Sequence, residues 1–246
     1  MHRAAAFVEA AWSNRDFNLD TNGEGDLLRA LAPAGFRTVI DVGANVGDWS
    51  CDVLKIWPEC RVHSFEVAPE TYRTLVRAVQ RSGLQERATL NAVGLGEQAG
   101  SLTMYYFPEH PDLTCDLPRH LAYQSVPFEA PIETGDAYCD ARGIQAVDFL
   151  KIDVEGAEFR VLRGFERRLA AGDVHCIQFE YGAFSTQTRF LLADYYAMLG
   201  ANYWIGKIYP GYVEFAEHEW TMENFQFCNF CCVSKKREDL RRMAAG

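Results

Sequence analysis

Short runs of mostly apolar residues alternate along this chain with longer segments whose apolar positions recur every three or four residues. The runs at 37–43 (RTVIDVG), 60–67 (CRVHSFEV), 88–95 (ATLNAVGL), 147–153 (VDFLKID) and 174–181 (VHCIQFEY) are short enough to read as buried strands. Between them, 23–33 is a predicted helix stopped by Pro33 and 48–57 a helix stopped by Pro58. The helix predicted over 69–83 has Pro69 at its start and Gly83 at its end. Further helices are predicted over 135–143, 156–171 and 188–200. The segments 202–209, 212–217 and 227–234 read as antiparallel strands, and the charged tail 235–246 as a solvated end.

Strands alternating with helices predict an α/β fold, a mostly parallel sheet with helices on both faces. The whole of 1–246 reads as one domain with an N-terminal helical segment, 1–36. The alternation breaks at 97–134, where five prolines fall and GSLTMYYF (100–107) has the look of a hairpin arm. That region reads as an insertion on the substrate side. In open parallel sheets ligands bind beyond the carboxyl ends of the strands, so those ends are where the chemistry is sought.

Composition changes this picture little. A formal net charge of −10 is a poor footprint for a phosphate backbone, so no nucleic-acid partner is expected. No stretch reaches the roughly 18 apolar residues of a membrane span. The opening MHRAAAFVEAAWSNRDFNLD lacks a signal-peptide layout, which predicts a cytoplasmic protein with its eight cysteines reduced. Cys228, Cys231 and Cys232 lie in the aromatic-rich run FQFCNFCCV and read as small core residues, because no second pair matches their spacing.

The first strand ends VIDVGANVGDWS. Gly43 and Gly47 flank a strand-to-helix turn with spacing G-x-x-x-G, unlike the G-x-G-x-x-G that cradles a pyrophosphate. Asp41, a carboxylate beside that turn, suits an amine-bearing ligand better than a diphosphate. Glu66 ends the second strand 25 residues later, where acids accept hydrogen bonds from ribose hydroxyls. A ligand with a ribose, a positive group and no phosphates is implied, and S-adenosylmethionine fits.

At this point the sequence resembles the FkbM-type methyltransferases, a branch of the class I S-adenosylmethionine-dependent enzymes, over roughly 20–233. The resemblance is carried by NGE (22–24), VIDVGANVGDWS (39–50), HSFEVAPETYRTL (63–75), NAVGLGEQAGSLTMYY (91–106), DFLKIDVEGAEFRVLRGF (148–165) and IQFEY (177–181), in the family's order. One departure is Val67, where the family often carries proline. The resemblance implies a Rossmann-like class I methyltransferase: a mostly parallel seven-stranded sheet with helices on both faces and an antiparallel terminal strand. It implies O-methylation of a hydroxyl on a small-molecule or glycan acceptor, a sugar or a polyketide-like natural product. Asp41, Gly43, Asn45 and Gly47 would then line the methionine side of the cofactor, Glu66 would hold the ribose, and Asn91 would edge the adenine.

Methyl transfer to an alcohol is helped by a base at the hydroxyl. Asp153 and Glu180 end the fourth and fifth strands, where the architecture points at the methyl donor. Either is a candidate general base. Alternatively the two share a Mg²⁺ that binds the acceptor oxygens, as in the similar catechol O-methyltransferases. Glu155 is a third candidate, balanced between a helix cap and the pocket. Glu158 reads as scaffold, Lys151 as a neutraliser of a nearby acid and His63 as a core histidine. His110 and His120 offer a base from the insertion. Tyr105, Tyr106 and Phe107 offer a sugar-stacking wall or a plain hairpin face, and Glu24 a ligand contact or a cap. The competing functions are a nicotinamide-dependent oxidoreductase, disfavoured by the missing G-x-G-x-x-G, and a non-catalytic S-adenosylmethionine-binding module.

Overall fold

The computed structural model describes Asn14 and residues 21–117 and 123–246. The opening segment, apart from Asn14, and His120 lie outside the described residues. Strand β1 (Thr38–Val42) is followed by α2 (Asp48–Ile56), β2 (Arg61–Phe65), α3 (Pro69–Ser82) and β3 (Ala88–Asn91), with α1 (Glu24–Leu31) before them. The chain then crosses back to β7 (Val147–Ile152) and β8 (Val174–Tyr181), and closes with β9 (Tyr203–Tyr209), β10 (Tyr212–Phe215) and β11 (Cys228–Ser234). The sheet order is β10-β9-β11-β8-β7-β1-β2-β3. The five strands β3, β2, β1, β7 and β8 are mutually parallel, and β11 inserts antiparallel between β8 and β9. One strand more than the expected seven is present: β10 adds to the edge through a tight turn at Gly211.

The strand pattern and the burial agree for a physical reason. Parallel strands covered by helices on both faces are apolar at nearly every position. In β1, Val39 packs to one side and Ile40 to the other, and each lies in a separate buried cluster. One cluster joins Val39, Phe149, Trp49 and Leu28 under α1 and α2; the other joins Ile40, Leu150, Phe159 and Tyr195. All eight cysteines are buried.

Several boundaries move. The run expected over 88–95 divides into β3 and a short β4 (Gly94–Leu95), which leaves the main sheet for a small one of order β4-β6-β5. Its other members, β5 (Gly100–Tyr106) and β6 (Val126–Glu133), form an antiparallel hairpin from the proline-rich region. The segment 135–143 holds α4 (Gly135–Ala141). The helix expected over 156–171 is broken into α5 (Glu158–Arg163) and α6 (Glu166–Ala171). The break falls at Gly164, where a Cβ would sit 2.2 Å from the carbonyl oxygen of Gly96, so the chain passes too close for a side chain. The helix expected over 188–200 is likewise divided into α7 (Ser185–Thr188) and α8 (Leu192–Leu199), with Arg189 between them at φ 65°. The tail is not a solvated end: Glu238–Ala245 forms α9, and Leu240 and Ala244 bury against α1 and β10. Among the described residues no helix is long and apolar enough to cross a membrane.

Candidate active site

The crossover from β3 to β7 makes the gap between β1 and β7 the switch point of the sheet, where the strand ends diverge and leave a crevice. Register then aligns two polar rows on the face covered by α1 and α2. In the lower row Ser64, Asp41, Lys151 and Gln178 are side-by-side partners on β2, β1, β7 and β8. Two residues further along the same strands come Glu66, Gly43, Asp153 and Glu180. Side chains two apart on a strand share a face, so the upper row stands directly above the lower at the open edge of the sheet.

Above the upper row lies a cleft of about 310 Å³. Gly43, Asn45, Glu66, Asp153 and Glu155 line it, and the adjoining wall comes from Gly94 to Gln98. The hairpin closes the far side with Leu102, Met104 and Ile132. Asp116, ion-paired to Arg160 at 2.5 Å, ties the loop after β5 to α5 across the same cleft.

The β1–α2 turn is shaped by close approach. Gly43 has φ 81°, and a Cβ there would lie 1.8 Å from the carbonyl oxygen of Asp153. Gly47 has φ 93°, and its Cβ would meet Leu75 at 2.6 Å. Both glycines therefore serve the packing of the turn, and Gly47 does not line the cleft. Gly43→Ala is expected to destabilise the fold by about 3 kcal/mol or more, through backbone strain and a clash that no side chain can relieve. Urea denaturation measures this; a change below about 0.5 kcal/mol contradicts the packing argument.

Glu66 accepts the backbone N–H of Asn45 at 3.0 Å and of Ala68 at 2.8 Å, which fixes its carboxyl at the rim of the cleft. Burial pushes its pKa up to about 7, against those two N–H groups, which favour the charge. Asn45 adopts φ 47°, and its side-chain oxygen is buried without a hydrogen-bond partner. An acceptor left unpaired beside an anchored carboxylate fits a ligand bearing hydroxyl or amino donors.

Two sequence candidates lie elsewhere. Asp41 is fully buried beneath the cleft and accepts Ser50 Oγ at 2.5 Å, with Ser64 Oγ 2.8 Å from that hydroxyl. Asn91 is spent on the protein: its amide donates to the carbonyl of Ser64 at 3.0 Å and its oxygen accepts from Tyr138 at 3.3 Å. The wall expected from Asn91 is made by the residues just after it. His63 hydrogen-bonds Tyr138, and burial, with help from Arg142 and Arg61, holds its pKa down at about 4, so it is a neutral core histidine. The His110 ring lies against Tyr123, with centroids 4.0 Å apart and planes tilted by 49°.

The acids of the 153–158 segment have separate jobs. Ligand oxygens of Asp153, Glu155 and Glu180 all lie within 4.8 Å of one another, a hard-oxygen set able to hold a divalent cation. Glu180 hydrogen-bonds Asp153; burial first, and then Asp153 and Glu155, push its pKa well up, so it carries the proton of the pair. Glu155 has φ 58° and does not cap α5, whose N-cap is Ala157. Glu158 Oε1 accepts the N–H of Val154 and of Gly156, each at 3.1 Å, and so braces the loop that carries the other two acids.

Burial pushes Glu158 up to about 7. Its folded pKa lies above its unfolded value, so its stabilisation is fully present below the unfolded pKa and is lost as pH rises through about 7. Glu158→Gln keeps the acceptor oxygen without the charge. The melting temperature of the variant relative to wild type is therefore expected to rise between about pH 5 and pH 8. A difference that stays flat across calorimetric scans in that range contradicts the assignment.

Comparison with known proteins bears on this arrangement. A family model described as the methyltransferase FkbM domain matches residues 41–218. The curated methyltransferase sdnD of Sordaria araneosa is 28% identical over 155 residues, covering 52% of this chain and 60% of its own length. The 2-O-methyltransferase NoeI of Sinorhizobium fredii (strain NBRC 101917 / NGR234) is 26% identical over 175 residues, covering 64% and 62%. The chain thus spans about three fifths of the length of these relatives. In fold it is similar to a crystal structure of methyltransferase FkbM from Methylobacillus flagellatus KT, with TM-score 0.51 and 17% identity over 80% of this chain and 44% of that one.

Proposed function

The chain belongs to the FkbM family of methyltransferases, and from that premise we propose that it transfers the methyl group of S-adenosylmethionine to a hydroxyl of a sugar or a polyketide-like small molecule. The observation that supports this best is the cleft itself. It has an anchored carboxyl, Glu66, at one end and Asp153 at the other, and it is lined mainly by apolar side chains and backbone between them. S-adenosylmethionine, when bound, supplies an electrophilic methyl on a sulfonium. Glu66 accepts hydrogen bonds from the ribose hydroxyls, Asn45 takes a donor with its unpaired oxygen, and Leu102, Met104 and Ile132 cover the apolar part.

Asp153 accepts the proton of the acceptor hydroxyl. An alcohol is a weak nucleophile, and a positioned base contributes typically ~10²–10⁴-fold. One oxygen of Asp153 is held by Lys151 Nζ at 2.8 Å, while its side chain remains 42% exposed toward the cleft. Glu180, carrying its proton, donates to Asp153 and keeps the pair from repelling itself apart. In-line displacement needs alignment above all, which is the task of the rigid strand ends.

A second reading is favoured by the spacing of Asp153, Glu155 and Glu180. A divalent cation in that set would displace the shared proton and lower the pKa of a bound hydroxyl. Dialysis against a chelator separates the two: full activity after metal removal supports the base, and loss restored by Mg²⁺ supports the cation. The acceptor itself is sought by a transfer screen with methyl-labelled cofactor against deoxysugar-bearing and polyketide acceptors. Label is expected in an ether linkage; label in nitrogen or in no acceptor at all speaks against the proposal.

A further inference from the structure

Lys151 stands in a central strand of the sheet, only 7% exposed, with Asp41 beside it on β1 and Gln178 beside it on β8. An ammonium there is expensive to bury unless charges and hydrogen bonds compensate it. Three acids do so. Asp153 Oδ2 accepts its Nζ at 2.8 Å, and Asp41 and Glu24 act on it through space. Burial opposes the charge, but these acids outweigh it and hold the lysine protonated. The ring of Trp49, 5.7 Å from Nζ, covers it from α2.

The two through-space acids are themselves held by hydrogen bonds. Asp41 is held by Ser50, and its second oxygen is buried with no hydrogen-bond partner. Glu24 receives amides from Gln178, from Asn22 at 2.5 Å and from Asn229 at 3.1 Å. These contacts tie α1, β8 and β11 together around the lysine. Asp153, by contrast, has Glu155 and Glu180 close beside it, and the ammonium it pairs with is that of Lys151.

We infer that Lys151 is a positioning residue for Asp153: it fixes Oδ2 from beneath and leaves the other oxygen to the cleft, and Asp41 and Glu24 serve the lysine rather than a ligand. This rests on the reading of Asp153 as the group that meets the acceptor hydroxyl. It reassigns Asp41, which the sequence put against the cofactor, to a support two layers down. It also gives the buried, unpaired oxygen of Asp41 a purpose, since a charge facing a lysine needs no hydrogen bond to be useful there.

The test compares crystal structures of wild type and Lys151→Met, each with and without S-adenosylhomocysteine, together with isothermal titration of that ligand. In Lys151→Met the Asp153 carboxylate is expected to move by about 1 Å or more, a displacement large enough to matter for alignment. The dissociation constant for S-adenosylhomocysteine is expected to stay within about threefold. A carboxylate that keeps its wild-type place overturns the inference, and so does a loss of affinity beyond about tenfold, which would make the lysine an organiser of the whole cleft. Should Lys151→Met not fold, Lys151→Arg is read instead. A guanidinium that reaches Asp153 keeps the carboxylate in place, and one that turns away releases it; a carboxylate indifferent to the guanidinium overturns the inference. Failure of wild type to bind S-adenosylhomocysteine sinks the methyltransferase reading separately, because the ligand-free crystals still report on the lysine.

Discussion

Asp153→Asn is expected to lower the rate of methyl transfer by about 10²–10⁴-fold at saturating cofactor, the range that removal of a positioned base produces. The asparagine keeps the size of the side chain and an oxygen for Lys151, so the fold and the cleft stay as they are. Affinity for S-adenosylhomocysteine is expected to remain within about threefold of wild type. Labelled-methyl transfer and isothermal titration on the same preparations check both halves. A variant that transfers methyl groups at the wild-type rate removes Asp153 from the reaction. One that loses affinity and rate together makes it a binding residue.

Glu66→Ala is expected to act on the other end of the cleft. Hydrogen bonds to a charged acceptor are worth about 1.5–3 kcal/mol each. A ribose that loses such an acceptor should bind more weakly by about 2–3 kcal/mol, or about 30- to 150-fold. The pH dependence makes the assignment specific. The Glu66 pKa of about 7 in the empty cleft belongs to a buried carboxyl that is largely protonated in mild acid. Only its ionised form can accept from both ribose hydroxyls, so affinity for S-adenosylhomocysteine is expected to rise as pH increases through about 7. Glu66→Gln should bind more weakly and lose that rise. Wild-type affinity that falls with pH over the same interval contradicts the role of Glu66.

The reach of the sequence is plain from particular residues. The placement of Glu66, Asp153 and Glu180 in one row was legible because each ends an apolar run, and parallel strands in register bring such positions side by side. Gly43 was legible as a special turn residue, but its reason was not: it makes room for the carbonyl of Asp153, a contact across 110 residues of sequence. Asp41 and Asn91 carried the right residue types near the right strand ends, and neither lines the cleft. Ser50 draws the first and Tyr138 the second, and both partners depend on register and helix placement that no local pattern encodes.

The hairpin over the cleft was visible as alternation in 100–107, but its second strand, with prolines at 127 and 131, was not. The tail helix was missed for the opposite reason. Its charge suggested a solvated end, while Leu240, Met243 and Ala244 at helical spacing already marked a face to bury. Lys151 was the signal with the most left in it. A lysine inside an otherwise apolar strand is rare enough to demand partners, and those partners proved to be the acids that frame the site.

In the proposed function the cleft between Glu66 and Asp153 holds S-adenosylmethionine. Parallel isothermal titrations of the wild-type protein with S-adenosylhomocysteine and with NADH test it most directly. Saturable binding of S-adenosylhomocysteine is expected, weakened in Glu66→Ala and retained in Asp153→Asn, with no binding of NADH. Binding of NADH alone would contradict it.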